Sequence, residues 1–350
     1  MQYSVSNLAK IANFALIMHS LRHTITFIAL TAACLLFFII DMGIGSVSIP
    51  IRHIIGAVTG GDCPEQTIQI LFGIRLTKAI VAILAGGALS VSGLQMQTLF
   101  RNPLAGPYVL GVSSGASLGV ALFVLGAPVI GASFWFMQLG ITGAAWIGSA
   151  MILAAVTIAG QRIKDIMVIL ILGIMFSSGI SAVVQALQYI SQEDALKTFV
   201  VWTMGSLSDV TSNQLAILSA SVAAGLILSV FTIKPLNLLL LGEEYAKTMG
   251  LNLHKSRLLI FAATTLLVGS VTAFCGPIGF VGLAMPHVAR MIIRDADHRS
   301  LIPATLLCGI AAMLICDIFS KLMLMPINVV TSLLGIPIVV WVVLHNKSIA

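Results

Sequence analysis

The sequence predicts an all-α membrane protein with about ten transmembrane helices, and three observations lead to this fold class. First, 59% of the 350 residues are hydrophobic and only 9% are charged, whereas a soluble domain carries about 25% charged residues. Second, nearly the whole chain divides into apolar runs of roughly the 20 residues that cross a bilayer as a helix. Third, these runs lack the polar–apolar alternation of membrane-spanning strands, and lipid admits only helices or closed barrels.

The predicted spans follow from the positions of these runs. They cover residues 23–41, 77–99, 108–126, 137–159, 166–190, 212–232, 257–275, 280–293, 301–319 and 328–344. The eighth span is short. The stretches 43–76 and 191–211 are too polar to cross the membrane, so we expect both to carry short helices that lie on the outer face.

Basic residues are distributed unevenly between the two sides that these spans define. Counting from an inner N-terminus, 13 of the 18 lysines and arginines fall on the inner side and the other five on the outer side. Cytoplasmic loops carry such an excess, so the inner side is cytoplasmic. We expect residues 1–22 to form a cytoplasmic lead-in and not a cleaved signal, residues 23–345 a single transmembrane domain, and residues 346–350 a cytoplasmic tail. The net charge of +6 then reflects topology, and no nucleic-acid partner is predicted.

The reactive residue types form no readable cluster. The cysteines are Cys34, Cys63, Cys275, Cys308 and Cys316, and no two of them are spaced as a CxxC pair. Neither a Ser/His/Asp set nor a set of residues at metal-ligand spacing is present. We therefore predict no disulfide framework, no metal site, no bound cofactor and no enzymatic activity.

The acidic residues indicate how transport by such a chain would be driven. All of them fall in loops or near the ends of the predicted spans, so no carboxylate is placed at mid-membrane to bind sodium or relay a proton. An ion-gradient-driven secondary transporter remains the alternative, and it would depend on Asp41 or Asp317. The phosphate-binding pattern GxxxxGK[ST] is absent, so the chain does not hydrolyse ATP itself. Active transport would then require a motor subunit docked on a cytoplasmic loop.

The largest inner loop, at about residues 233–256, is the candidate docking surface for that motor. Glutamates at 243 and 244 and a glycine at 250 predict a short helix with defined ends. Tyr245 and Met249 are four residues apart and share one face of it, and Asn252 is placed to cap the following helix. The alternative is a solvated helix at the membrane surface.

Small residues are concentrated in the second and third spans. The set comprises Gly86, Gly87, Ala88, Ser90, Ser92, Gly93, Gly111, Ser113, Ser114, Gly115, Ser117 and Gly119. Such residues let helix backbones approach closely in membranes. Tight packing and a smooth, weakly polar pore wall are both compatible with this pattern, on different faces of one helix.

Several motifs stand in order along nearly the whole chain. They are Arg75-Leu76-Thr77-Lys78, Ser92-Gly93-Leu94-Gln95-Met96-Gln97, Asn102-Pro103-Leu104-Ala105-Gly106-Pro107, Leu110-Gly111-Val112-Ser113-Ser114-Gly115, Trp202-Thr203-Met204-Gly205, Gly242 to Leu251, Gly276-Pro277-Ile278-Gly279-Phe280-Val281-Gly282-Leu283, Pro286-His287 with Arg290, Asp317, Pro326-Ile327-Asn328-Val329-Val330-Thr331 and Gly335-Ile336-Pro337. In this order and spacing they resemble the motifs of the permease family that imports ferric siderophores, haem and cobalamin (the FecCD type). Together they are specific for the family and much less specific for the cargo.

The resemblance implies a type II ABC importer permease with ten helices per subunit, in the bacterial inner membrane. It implies a second permease copy, two copies of an ABC ATPase subunit that uses the ATP, and a periplasmic substrate-binding protein above. The implied cargo is an iron–siderophore complex or haem, with cobalamin as the alternative.

The resemblance also assigns roles to residues of this chain. The implied ATPase-coupling residues are Glu243, Glu244, Tyr245, Lys247, Met249, Gly250 and Leu251. The implied binding-protein docking residues are Arg75, Lys78 and Lys321, which would meet acidic residues of the partner. Lysine replaces the family's commoner arginine at 78 and 321, and threonine stands at 77 where proline is usual. Lysine lacks arginine's bidentate fork, which predicts weaker docking contacts, and an interfacial charge reaching to lipid headgroups is the alternative.

Two further assignments concern the cytoplasmic half. Pro103 and Pro107 block helix continuation and hold the chain extended. The resemblance implies that Asn102, Pro103 and Leu104 form a cytoplasmic gate, and a plain rigid turn is the alternative. The other gate element is expected near residues 161–166, where no motif is readable. His287 is expected to satisfy a neighbouring carbonyl group and not to bind haem iron.

Overall fold

The structure is a computed structural model that describes residues 2–45, 47, 49–50, 52–53, 56–57, 64–126, 140–163 and 165–345. The predicted tail at 346–350 and Cys63 lie outside the described residues. The helices that position the site are α1 (Gln2–Gly43), α2 (Glu65–Leu99), α3 (Val112–Gly126), α4 (Gly140–Arg162), α5 (Ile166–Ile190), α6 (Glu193–Thr203), α7 (Ser212–Phe231), α8 (Ile233–Leu240), α9 (Glu243–Thr248), α10 (Leu253–Cys275), α11 (Val281–Ile293), α12 (His298–Met323) and α13 (Ile327–His345).

The described helices confirm the predicted all-α membrane fold. Seven of them are long and apolar enough to cross a membrane, and three shorter apolar helices stand at the remaining predicted spans. The short helix α6 lies within the stretch 191–211, as predicted. Helix α2 begins at Glu65 because a π-helical segment, Gln69–Arg75, continues it toward the N-terminus. The prediction that residues 43–76 stay outside the spans was therefore wrong for the last part of that stretch.

Helix α2 forms the centre of the molecule. Its residues from 85 to 99 are all buried, and it packs against α12, α10, α11 and α7. Helix α5, in contrast, presents large apolar side chains such as Ile171, Ile174 and Met175 to the outside. An apolar surface of this kind is what a helix in contact with lipid presents.

Two glycine contacts allow α2 to approach its neighbours at backbone distance. A Cβ atom on Gly93 would lie 1.7 Å from the carbonyl oxygen of Gly282 in α11, and one on Gly86 would lie 2.3 Å from the carbonyl oxygen of Gly309 in α12. No side chain fits in either place. The packing role predicted for the small residues of the second span is confirmed at both positions.

Helix α3 uses its two faces differently. On one face, a Cβ atom on Gly115 or Gly119 would lie 2.5 Å or 2.1 Å from a backbone oxygen of α4. On the other face, Ser113, Ser114 and Ser117 are partly exposed. The first face is a packing surface, and a weakly polar pore wall stays a prediction for the second.

Helix α11 does not cross the whole membrane. It has 13 residues, about 20 Å at 1.5 Å per residue, whereas the hydrocarbon core is about 30 Å thick. Because Gly282 lies against Gly93, α11 starts beside the interior of α2. The preceding non-helical segment therefore lies at membrane depth, where its backbone groups need partners inside the protein.

Side chains from distant parts of the chain supply those partners. Ile278 N donates to Tyr108 Oη at 3.2 Å, and Tyr108 Oη donates to Ile278 O. Gly279 N donates to Asn328 Oδ1 at 3.0 Å. This brings the motifs at 276–280 and 326–328, which are far apart in sequence, into one buried junction.

We predict that Gly93→Ala destabilises the protein by about 1–3 kcal/mol, because the added methyl group would force α2 and α11 apart. Gly179→Ala is the matched control, since a Cβ atom there meets nothing within 4 Å and alanine is the better helix former. The measurement is the melting temperature of the purified protein in detergent. Equal melting temperatures for the two variants would contradict the backbone contact.

Candidate functional site

Helix α9 is a short helix with defined ends in the largest inner loop. Leu251 N donates to Ala246 O at 3.0 Å and Gly250 N donates to Lys247 O at 2.9 Å, while Gly250 has φ of 81°. This is a Schellman motif, in which the left-handed glycine ends the helix. Gly242, with φ of 102°, precedes the first turn.

The exposed face of α9 carries the predicted apolar knob. Tyr245 is 51% exposed and Met249 is 58% exposed, whereas the neighbouring Ala246 is fully buried. Glu244 and Lys247 form an exposed ion pair beside the knob. An apolar patch rimmed by charges is typical of a protein–protein contact.

The protein holds α9 in place through Glu243. Both carboxylate oxygens of Glu243 accept hydrogen bonds from Arg257 Nη2, at 2.6 and 2.8 Å, so the start of α9 is tied to α10. Asn252 Oδ1 accepts from Lys255 N at 3.0 Å, which confirms the predicted cap of α10. The helix is therefore anchored at both ends while its outer face stays free.

The predicted gate segment forms a tight turn after α2. Leu104 N donates to Asn102 Oδ1 at 2.9 Å and Ala105 N donates to Asn102 O at 3.0 Å. The asparagine side chain thus closes the turn that Pro103 initiates. Leu104 projects from it and is 48% exposed. The turn fits either a gate or a rigid connection, so the gate assignment stays a prediction.

Two residues of α11, His287 and Arg290, connect this helix to the gate turn and to the end of α2. His287 Nε2 lies 2.8 Å from Pro103 O, which requires the proton on Nε2 and confirms that the histidine satisfies a backbone carbonyl. Arg290 Nη1 donates to Gln97 Oε1 at 2.6 Å, and Gln97 Nε2 donates to Leu283 O at 3.0 Å. The end of α2 and the gate turn are therefore both attached to α11.

The expected second gate element, near residues 161–166, is described only in part because residue 164 lies outside the described residues. Asp165 caps α5 by accepting from Met167 N at 2.8 Å. The assignment of a gate there stays a prediction.

The predicted docking residues Lys78 and Lys321 belong to a buried ionic cluster where the C-terminal ends of α1 and α12 meet α2. Lys321 Nζ lies 2.8 Å from Asp41 Oδ1 and 2.9 Å from Asp317 Oδ2, and Lys78 Nζ lies 3.0 Å from Asp317 Oδ1. Both aspartates are fully buried. Each oxygen of Asp317 thus contacts one lysine, and the two lysines balance its charge.

Arg75 completes this region by binding backbone carbonyl groups. Its Nη1 donates to Met42 O and Gly43 O, both at 3.0 Å, and its Nη2 donates to Val47 O. Arg75 is only 4% exposed. All three predicted docking cations are thus engaged inside the protein in this conformation, and contact with a binding protein stays a prediction.

Sequence reasoning missed the buried polar partners of these sites. Arg257 binds Glu243, and Asp41 binds Lys321. Gln97 connects the end of α2 to Arg290. A signal for Gln97 was available: a glutamine inside an otherwise apolar span is costly in lipid and therefore implies a partner. The identity of that partner was not readable, because Arg290 lies 193 positions away.

We predict that Lys321→Met destabilises the protein by about 3–5 kcal/mol, because it leaves buried carboxylates without their shared cation. Lys78→Met should cost less, since Asp317 would keep its contact with Lys321. Melting temperatures in detergent give the ranking. The double variant Asp41→Asn/Lys321→Met should recover part of the loss, and a wild-type melting temperature for Lys321→Met alone would contradict the cluster.

Comparison with known proteins gives a consistent result over most of the chain. Residues 33–345 match the FecCD transport family. The hemin transport system permease protein of Yersinia pestis is 36% identical over 288 residues, which are 80% of this chain and 84% of that protein. The vitamin B12 import system permease protein of Klebsiella pneumoniae is 36% identical over 283 residues, 79% of this chain and 83% of that protein.

A solved structure is similar as well. It is an inward-facing conformation of a transporter assigned to the metal-chelate type of ABC transporter, with a TM-score of 0.79 and 29% sequence identity. The match covers 92% of this chain and 99% of that chain. The likeness therefore extends over most of the chain.

Proposed function

Since this chain belongs to the FecCD transport family, we propose that it passes a bulky metal chelate, an iron–siderophore complex or haem, from the periplasm to the cytoplasm. The chain is the permease subunit of an ABC importer and a multi-pass protein of the inner membrane. Beyond this, we propose the cargo, the number of copies of each subunit and the residues that contact each partner.

The cargo proposal follows from what the similar proteins are named for. The hemin permease and the vitamin B12 permease are each 36% identical to this chain, and both cargoes are large metal-centred ring systems. We place the iron complexes first and keep cobalamin as the alternative. In an importer of this kind the binding protein selects the cargo, so the permease needs only a wide, weakly binding path.

The proposed ATP-driven mechanism rests on the exposed face of α9. Tyr245 and Met249 stand out from a helix that is anchored by Arg257 and ended by Gly250. We assign this face, with its rim of Glu244 and Lys247, as the seat of one of two ATPase subunits. ATP hydrolysis by those subunits would then move α9, and two permease copies would open and close the path between them.

The test is uptake into liposomes that contain the permease with its own ATPase and binding protein, offered haem, a ferric siderophore and cobalamin. ATP-dependent accumulation of an iron complex supports the proposal, and accumulation of cobalamin alone would replace the cargo. Uptake that follows an ion gradient without ATP would instead favour a secondary transporter. That alternative predicts loss of uptake in Asp41→Asn or Asp317→Asn at unchanged stability.

We predict that Tyr245→Ala lowers ATP-driven uptake at least about tenfold, as removal of a central aromatic anchor does in a protein interface. The melting temperature of the isolated permease should not change, because this ring is half exposed. Tyr189→Ala is the matched control, since it removes a ring that is 91% exposed at the C-terminal end of α5. Normal uptake by Tyr245→Ala would refute the coupling assignment.

Charge reversal tests the rim of the same face. Glu244→Lys should abolish uptake while the protein stays folded, because the Glu244 side chain is 88% exposed. Glu243→Lys should abolish uptake too, but it also breaks the contact with Arg257 and should lower the melting temperature. A folded Glu244→Lys variant with full uptake would exclude the rim from the interface.

A further inference from the structure

A row of polar contacts joins the last turns of α2 to the segment that leads into α9. We call it the polar seam, and it consists of Gln95 and Thr98 on α2, Thr232 and Asn237 on the other side, and His298 between them. Gln95 and Thr98 are three positions apart, so they lie on one face of α2 near the gate turn. Thr232 and Asn237 follow α8 toward the coupling helix.

The first contact of the polar seam lies at the start of α8. Gln95 Nε2 donates to Thr232 Oγ1 at 3.2 Å, and Gln95 Oε1 accepts from Thr264 Oγ1 at 2.8 Å. All three side chains are fully buried. The amide of Gln95 thus holds α8 and α10 together against α2.

The second contact passes through the first residue of α12. Thr98 Oγ1 lies 2.9 Å from His298 Nε2, and His298 Nδ1 lies 2.7 Å from Asn237 Oδ1. Asn237 Nδ2 donates to Asp297 Oδ1 at 2.6 Å, so its Oδ1 is the acceptor that faces the imidazole. The proton of His298 is therefore on Nδ1, and Nε2 accepts from the hydroxyl of Thr98.

Beyond the polar seam, Arg101 lies beside the start of α9. Its Nη1 atom would be 3.6 Å from a Cβ atom on Gly242. Arg101 immediately precedes the gate turn, and Gly242 immediately precedes Glu243. The two segments that the proposed mechanism must connect are therefore close neighbours.

The polar nature of these contacts needs a reason. Leu236 and Leu239 of α8 are buried in the same region, so apolar packing of α8 against the core is available. Burying hydroxyl, amide and imidazole groups is costly unless each is paired, and paired groups fix one relative position because hydrogen bonds are directional. The polar seam thus specifies how α8 sits on α2.

We propose that Thr98, His298 and Asn237 are positioning residues that make α8 and the end of α2 move as one body, so that displacement of the coupling helix α9 displaces the gate turn. The inference rests on the coupling and gate roles proposed above. It assigns the transmission of movement from α9 to the gate turn to the hydrogen bonds of the polar seam. Loss of these bonds should uncouple α9 from the gate turn.

The test uses shape-matched changes at one residue of the polar seam. Thr98→Val removes the hydroxyl and keeps the branched shape, whereas Thr98→Ser keeps the hydroxyl. Thr305→Val is the control, because Thr305 is a fully buried threonine of α12 and its hydroxyl has no hydrogen-bond partner in the described structure. Each variant is reconstituted with the ATPase and the binding protein, and cargo transported per ATP hydrolysed is measured together with the melting temperature.

For Thr98→Val we expect the ratio of cargo to ATP to fall about fivefold, the effect that one lost hydrogen bond has on an equilibrium, while ATP hydrolysis continues. Thr98→Ser and Thr305→Val should keep the wild-type ratio. An unchanged ratio in Thr98→Val would overturn the proposal. So would a proportional loss of transport and hydrolysis with a lower melting temperature, since that indicates a purely structural role.

A distance measurement tests the same inference without transport, and so separates its failure from failure of the proposed function. Spin labels replace the exposed Leu104 and Leu241, one at the gate turn and one at the end of α8. In dimers diluted with unlabelled permease and bound to the ATPase, the wild-type background should give one narrow distance that is the same with and without nucleotide, and Thr98→Val should broaden it. A wild-type distance that changes with nucleotide would overturn the inference even if uptake proves ATP-driven.

Discussion

The contact of α2 with α11 and α12 at glycine positions is the constraint on which the rest of the structure depends. Because Gly93 meets Gly282 and Gly86 meets Gly309 at backbone distance, α2 has no room for lipid or for large side chains on those faces. Its neighbours must then enclose it, and every polar group on α2 must find its partner within the protein. The buried networks of Gln95, Gln97 and Thr98 are consequences of that enclosure.

The same enclosure of α2 explains the positions of the gate turn and of the junction at 276–280. The chain leaves helical geometry at two places beside α2, the gate turn at 102–104 and the junction at 276–280. Both are tolerated because side chains supply the missing partners: His287 for Pro103 O, and Tyr108 and Asn328 for the junction. Segments with fewer backbone hydrogen bonds of their own can change conformation more easily than helices, which suits a path that must open and close.

Much of the fold was predictable from the sequence because run length and charge placement are local properties. The cap at Asn252 and the ends of α9 were readable for the same reason. The start of α2 was misjudged, since residues 65–76 mix polar and apolar side chains and their helix is stabilised by continuity with the span. The pairing of Lys321 with Asp41 was not readable, because no local pattern links residues 280 positions apart.

That separation has a consequence for how the protein is made. Asp41 lies near the end of the first span, while Lys321 lies near the end of α12. At roughly 5–20 residues per second, the ribosome needs about a quarter of a minute to a minute to add the 280 residues between them. During that time Asp41 lacks the lysine that pairs with it in the folded protein. The ion pair that fixes the end of the first span can therefore close only after α12 has been made.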